Sequence, residues 1–200
     1  MFAVHQPLIG AYAVDSPRAL ADVVAFVLTS IRKPLWRAAA DMSLIRSGNL
    51  APLALPFTRE GFEFVKRHRR KLYRDAFARR ADAAALVELF STVPGLGLPK
   101  AGFVAQLAFG LGGCIDTHNL KRFGLNPNRW HTSAKTAPHI RARKAADYAA
   151  VCDRLGGCAF LWDSWCEYVA ANSHGARLHY RDAFDVSATH CRAFELTEAR

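Results

Sequence analysis

Two hundred residues at 22.1 kDa give enough chain for one domain with a sizeable core and exclude a multi-domain machine. Apolar residues make up 51%, charged residues 22%, and mean hydropathy is -0.01, a composition that is neither disordered nor membrane-spanning. Lys and Arg outnumber Asp and Glu by 27 to 17, and the net charge of +10 with a pI near 9.8 points to a polyanionic partner. The longest apolar run, 23–28, falls far short of the roughly 20 residues a membrane helix needs. With no leader evident before Arg18, a cytoplasmic protein without a membrane partner is expected.

In chain order, the punctuation by Pro and Gly predicts helices throughout, hence an all-α fold. Asp15-Ser16-Pro17 offers a cap and a first-turn proline, and Leu20, Val23, Val24, Val27 and Ile31 continue with helical spacing until Pro34. A second helix over 35–45 is stopped by Ser47-Gly48-Asn49, and Pro52 and Pro56 mark a loop. Thr58 then caps a long basic helix reaching about Arg80, with Phe62, Val65, Leu72 and Phe77 as its buried stripe. Over 59–80, nine cations against three acids give +6, more than half the net charge of the protein. A solvated face and a nucleic-acid footprint both fit such a run. Further helices are predicted over 83–90, 100–109, 119–123, 138–155, 159–171 and 186–196. The helix from Pro138 should bury Ile140, Tyr148, Val151 and Leu155.

The most informative segment joins the helices 83–90 and 100–109. Pro94 fixes one backbone angle, and Gly95 and Gly97 permit a tight turn and the close approach of another backbone. Their N–H groups, followed by a helix N-terminus carrying Lys100, make a cradle suited to a phosphate oxygen or a bridging monovalent cation. Twenty-one residues after Gly95 comes Cys114-Ile115-Asp116-Thr117-His118-Asn119, in which Asp116 either caps the next helix or carries chemistry.

Val93 to Gly97 together with Ile115 to His118 resemble, in wording and spacing, the helix-hairpin-helix DNA glycosylase superfamily, whose pattern is Leu-Pro-Gly-Val-Gly, a helix, then Val-Asp-Thr-His. The resemblance is tight over about 35 residues, and the helical surroundings extend it loosely over most of the chain. It implies one compact domain over 1–200 with two helical lobes, a helix-hairpin-helix at about 83–110, and double-stranded DNA as partner. The hairpin would grip backbone phosphate, and Asp116 would stand at the mouth of a flipped-base pocket. Where the glycosylase-lyases carry their Schiff-base lysine this chain has Pro99, with Lys100 one place off and about 100° around the helix. The resemblance therefore brings no lyase step. Nor does it bring an iron-sulfur cluster, since the gaps from Cys152 to Cys158, Cys166 and Cys191 do not fit the four-cysteine loop.

The longer wording from Gly95 to Phe103 and Gly113 to Leu120, with Phe160 to Cys166, resembles most a bacteriophage branch of this superfamily, the alpha-glutamyl or putrescinyl thymine pyrophosphorylases of thymine hypermodification. That branch implies transfer of an amino acid or polyamine amine onto phosphate-activated 5-hydroxymethyluracil in DNA. A monofunctional glycosylase and a non-catalytic DNA-binding module are the alternatives.

Asp116 would hold and deprotonate an ammonium in transfer, or stabilise positive charge at C1′ in a glycosylase. His118 and Asn119 are its nearest helpers, although a structural histidine is the commoner outcome at such a position. Lys100, Lys121, Arg122 and Arg129 are candidates for phosphate, the first three for DNA. Trp162, Asp163, Trp165 and Glu167 read first as core packing, with Asp163 or Glu167 an amine-binding option. The five cysteines are odd in number and irregular in spacing, which suits reduced core thiols. A zinc site from the last three with His190 lacks any Cys-x-x-Cys pair.

Overall fold

The computed structural model describes residues 14–33, 35–133 and 136–172, the side chains of 36 and 166–172 excepted. Eight helices lie within them: α1 Pro17–Thr29, α2 Leu35–Arg46, α3 Pro56–Ala78, α4 Ala83–Phe90, α5 Leu98–Phe109, α6 Thr117–Arg122, α7 Pro138–Arg154 and α8 Gly157–Asn172. No strand occurs among the described residues, so the fold is all-α. The helix predicted over 186–196 lies outside them, as do Pro34, His190 and Cys191 and the side chains of Cys166 and Glu167.

Ser16 caps α1 as predicted, its Oγ accepting from the Ala19 N–H at 3.1 Å. The helix stops at Thr29, ahead of Pro34. Thr29 and Ser30 donate their hydroxyls back to Ala25 and Val27 carbonyls at 2.8 Å each, and Arg32 turns the chain with φ of 60°. Every residue from Val23 to Thr29 is buried, so α1 is an interior helix, packed on α2, α3 and α5.

The start of α3 corrects the sequence reading. Pro56 occupies the first helical turn after an extended Leu55, and no side chain caps the end. Thr58 lies inside the helix, buried, its Oγ1 donating to the Leu55 carbonyl at 2.7 Å. Of the expected stripe, Val65 and Leu72 are buried while Phe62 and Phe77 are half-buried. Gly61, Thr58 and Ala76 complete the buried side, because small residues let this helix come close to its neighbours. Three further starts shift by two residues: α5 begins at Leu98 with Pro99 in its first turn, α6 at Thr117 behind Asp116, and α8 at Gly157, whereas α2, α4 and α7 begin where expected. On α7, Tyr148 and Val151 are buried as expected, but Ala145, Ala149 and Cys152 fill the face in place of the half-buried Ile140 and Leu155.

Helix α5 is the axis around which the site is built. Leu98 and Ala101–Ala108 are buried, and the helix packs against α1, α4 and α7. Two glycines allow its ends to be approached by backbone. A Cβ at Gly61 of α3 would stand 2.2 Å from the Pro94 carbonyl, and a Cβ at Gly102 of α5 would stand 2.2 Å from the Gly113 carbonyl. The basic helix thus seats on the turn before α5, while the turn after α5 folds back onto the helix itself.

Candidate functional site

At its N-terminal end α5 is entered through the turn Val93-Pro94-Gly95-Leu96, closed by the Leu96 N–H donating to the Val93 carbonyl at 3.0 Å. Pro94 in the second place and Gly95 at φ of 83° in the third are the requirements of a type II turn. A side chain at Gly95 is also excluded by the Phe57 carbonyl, 2.9 Å from where its Cβ would lie. Val93, Leu96 and Leu98 anchor the turn in the core. Neither the Gly95 nor the Gly97 N–H has a partner among the described residues, and the side of Gly97 is open.

At the other end, the chain from Gly110 to Asp116 is clasped by buried groups. The Tyr148 hydroxyl donates to the Gly113 carbonyl and accepts from the Ile115 N–H, both at 2.8 Å. Burial pushes that phenol well above its usual range, so it stays protonated and keeps both bonds. The Asn119 carboxamide, fully buried, donates to the Cys114 and Leu161 carbonyls at 2.8 and 3.1 Å.

Those clasps fix Asp116. Its Oδ1 accepts from the His118 and Asn119 N–H groups at 3.0 and 3.2 Å, capping α6, and its Oδ2 accepts from Trp165 Nε1–H at 2.9 Å. Three of roughly four acceptor positions on the carboxylate are taken and one is left. Capping and a chemical role are therefore compatible in this residue.

Asp116 lines a pocket walled by α5 and α8, with Lys100, Phe103 and Gln106 from the first and Trp162 and Trp165 from the second. The aromatic rings form a continuous stack: Phe103 on Trp162 with centroids 6.2 Å apart, and Trp162 on Trp165 at 5.3 Å. Lys100 Nζ lies 5.5 Å from the Phe103 ring centroid. The pocket has a cavity volume of about 30 Å³, within about 310 Å³ of empty space that includes open solvent. Cys114 also lines it, and burial, with the nearby Asp116 charge adding and the Lys100 charge opposing, pushes its thiol up to about 12. A neutral thiol is not a nucleophile, so Cys114 contributes shape.

The sequence candidates separate clearly. Asp116 and Lys100 meet at the pocket. Lys100, expected beside the DNA backbone, is drawn to the pocket by its stacking partner Phe103. Asn119 is a correction: both its amide hydrogens are spent holding the chain, so it positions Asp116 from behind. His118 is exposed and rests edge-on against Trp165, centroids 6.1 Å apart. Lys121 is exposed on α6, Arg122 donates to the Ser164 carbonyl at 2.8 Å, and Arg129 is paired with Asp147 at 2.6 Å. Asp163 is exposed and does not line the pocket. Trp165, read as core packing, proves to be a direct partner of Asp116; Gln106, Gly61 and Gly102 carried no reading at all.

No group of three or more His, Cys, Asp or Glu side chains suited to a metal ion occurs among the described residues, and Cys114, Cys152 and Cys158 are free thiols. No helix among them is long and apolar enough to cross a membrane. Comparison with protein-family models, curated proteins and solved structures gives no match.

Proposed function

We propose that the protein is a DNA base-modifying enzyme of the two-lobed helix-hairpin-helix type, transferring an amino acid or polyamine amine onto phosphate-activated 5-hydroxymethyluracil. The observation that carries the reading is the meeting of one carboxylate, Asp116, and one cation, Lys100, on an aromatic-walled pocket beside α5. The same helix begins at a turn whose Gly95 and Gly97 N–H groups are unpartnered, an arrangement suited to a backbone phosphate. The motif resemblance over 93–118 joins these two features in a single known context.

In the transfer, a C–N bond forms at the 5-methylene carbon as its C–O bond to phosphate breaks. The phosphate leaves with the bonding pair. Asp116, with an acceptor position to spare, holds the incoming ammonium and takes one proton from it, freeing the nitrogen lone pair that attacks; Lys100 balances the leaving phosphate. Helix α3 together with Arg79 and Arg80 just after it, carrying +6 of the net charge of +10, supplies sequence-independent attraction to DNA.

The test is to incubate the protein with DNA containing thymine, 5-hydroxymethyluracil or its phosphorylated forms, with and without amines, and to analyse the digested nucleosides by mass spectrometry. Amine adducts on an intact glycosidic bond are expected. Free base and abasic sites would replace this reading with a monofunctional glycosylase, and tight binding without any product would replace it with a DNA-binding module.

A further inference from the structure

Gln106 lies within α5 in full burial, and neither its Nε2 nor its Oε1 has a hydrogen-bond partner among the described residues. Folded chains pair the large majority of their buried polar groups, because an unpaired one forfeits its bonds to water without replacement. A leucine would fill the same position in the apolar stretch 101–109 of this helix without that penalty. The carboxamide also lines the pocket that holds Asp116 and Lys100. An unsatisfied donor and acceptor, side by side at the wall of a pocket, are what a ligand with the complementary pair would satisfy.

We infer that Gln106 is the base-reading residue, its carboxamide pairing with the –CO–NH– edge of an extruded uracil-type ring: Oε1 accepts from the ring N3–H and Nε2 donates to the adjacent carbonyl. This deepens the function proposed above and rests on it for the occupant's being a base. The Phe103–Trp162 stack on the wall of the same pocket offers the ring an apolar face. The remaining polar groups there, Lys100, Asp116, the neutral Cys114 and the indole N–H groups of Trp162 and Trp165, do not offer a donor beside an acceptor on one planar group. A base blocked at N3 would leave Oε1 unpaired and meet it with a methyl group, which sites of this kind reject strongly.

The chain contains two glutamines, Gln6 and Gln106, so selective ¹⁵N labelling of glutamine side chains gives two amide signals, assigned by the loss of one in Gln106→Leu or Gln6→Leu. The full chain is titrated with a short single-stranded oligonucleotide carrying one 5-hydroxymethyluracil, and with the same oligonucleotide methylated at N3. The Gln106 signal should move with the first, and N3-methylation should weaken the apparent Kd at least about ten-fold. No movement, or equal movement with both, overturns the inference, and this arm needs no variant to fold. In Gln106→Leu, kcat/KM for transfer should fall at least about ten-fold with the melting temperature unchanged or raised. Transfer at the wild-type rate in that variant would overturn base reading by Gln106 and leave the proposed function standing. A selective response without any transfer product would uphold base reading and remove the transfer.

Discussion

The two ends of α5 are opposites in how they treat their backbone. Among the described residues, the turn before it leaves the Gly95 and Gly97 N–H groups unpaired, with the basic helix α3 seated close behind. The chain after it is held by a buried tyrosine, a buried asparagine and a tryptophan, and the result of those bonds is the placement of one carboxylate. A half-buried turn with unpaired donors suits a ligand that is everywhere alike, such as a phosphate backbone. A chain tied at several points suits a single reacting atom, since a misplacement of an ångström at such a site is costly.

The largest effect is expected where the locked end meets chemistry. Asp116→Asn keeps an oxygen to cap α6 but removes the charge, so turnover should fall by about 100-fold or more while DNA affinity stays within about two-fold. Steady-state rates and a binding titration on the same preparation check it. A variant within about ten-fold of the wild-type rate would reduce Asp116 to a cap and leave the two ends of α5 without a functional contrast.

A pair of glycine substitutions separates the ends directly. In Gly102→Ala the new methyl stands 2.2 Å from the Gly113 carbonyl and 2.8 Å from a Tyr148 ring carbon; in Gly61→Ala it stands 2.2 Å from the Pro94 carbonyl and about 3 Å from Leu28. Each obstacle is backbone, so each should cost about 1–3 kcal/mol, several degrees of melting temperature for a chain of this size. Beyond that shared loss, Gly102→Ala should lower turnover and Gly61→Ala should weaken DNA binding. Losses of one kind only, from both variants, would mean that α5 transmits strain between its ends.

Lys100 tests where the open end stops. If it serves the pocket, Lys100→Gln lowers kcat on phosphorylated DNA about ten-fold and leaves the salt dependence of binding to unmodified DNA unchanged. A slope flattened by about 0.9 would place the ammonium on a backbone phosphate instead.

Much of this contrast is legible in the sequence because it is carried by local chemistry. Pro94, Gly95 and Gly97 dictate a turn in any context, Ser16-Pro17 and Asp116 dictate helix starts, and the charge of α3 is counted directly. What escapes reading depends on contacts between distant segments. Nothing in the apolar pattern of α7 says that Tyr148 will aim its hydroxyl at a chain more than thirty residues away, or that Trp165 will donate to Asp116 across 49 positions. Asn119 looked like a catalytic helper because it stands three residues from Asp116, yet burial turned its amide toward two carbonyls. Two signals were present and faint. A glycine inside a long helix forfeits about 1 kcal/mol against alanine, which marks Gly61 as a close approach, and a lone glutamine in the apolar run of α5 marks Gln106 as a polar group with business in the interior.

The smallest effect concerns the outer support of the locked end. Asp147 accepts from Arg129 at 2.6 and 2.8 Å and from Trp130 Nε1–H at 2.8 Å, and the Trp130 ring packs edge-on against Tyr148, centroids 5.1 Å apart. The Arg129 hydrogen bonds, followed by that of Trp130, hold the Asp147 carboxyl below its usual range. A depressed carboxyl stabilises the fold above its unfolded pKa, near 3.9, and that contribution is lost as pH falls through the lower folded value. The pair is about 40% exposed, so water screens it and its contribution is small. Asp147→Asn should therefore lower the melting temperature by about 2–3 °C at neutral pH, and the gap from wild type should narrow as pH falls below the usual carboxylate range. Amide hydrogen exchange should loosen around Tyr148 and leave the turn at Gly95 unchanged, because the support runs through Trp130 to one end of α5 only. Equal loosening at both ends would show that the two are not separately held.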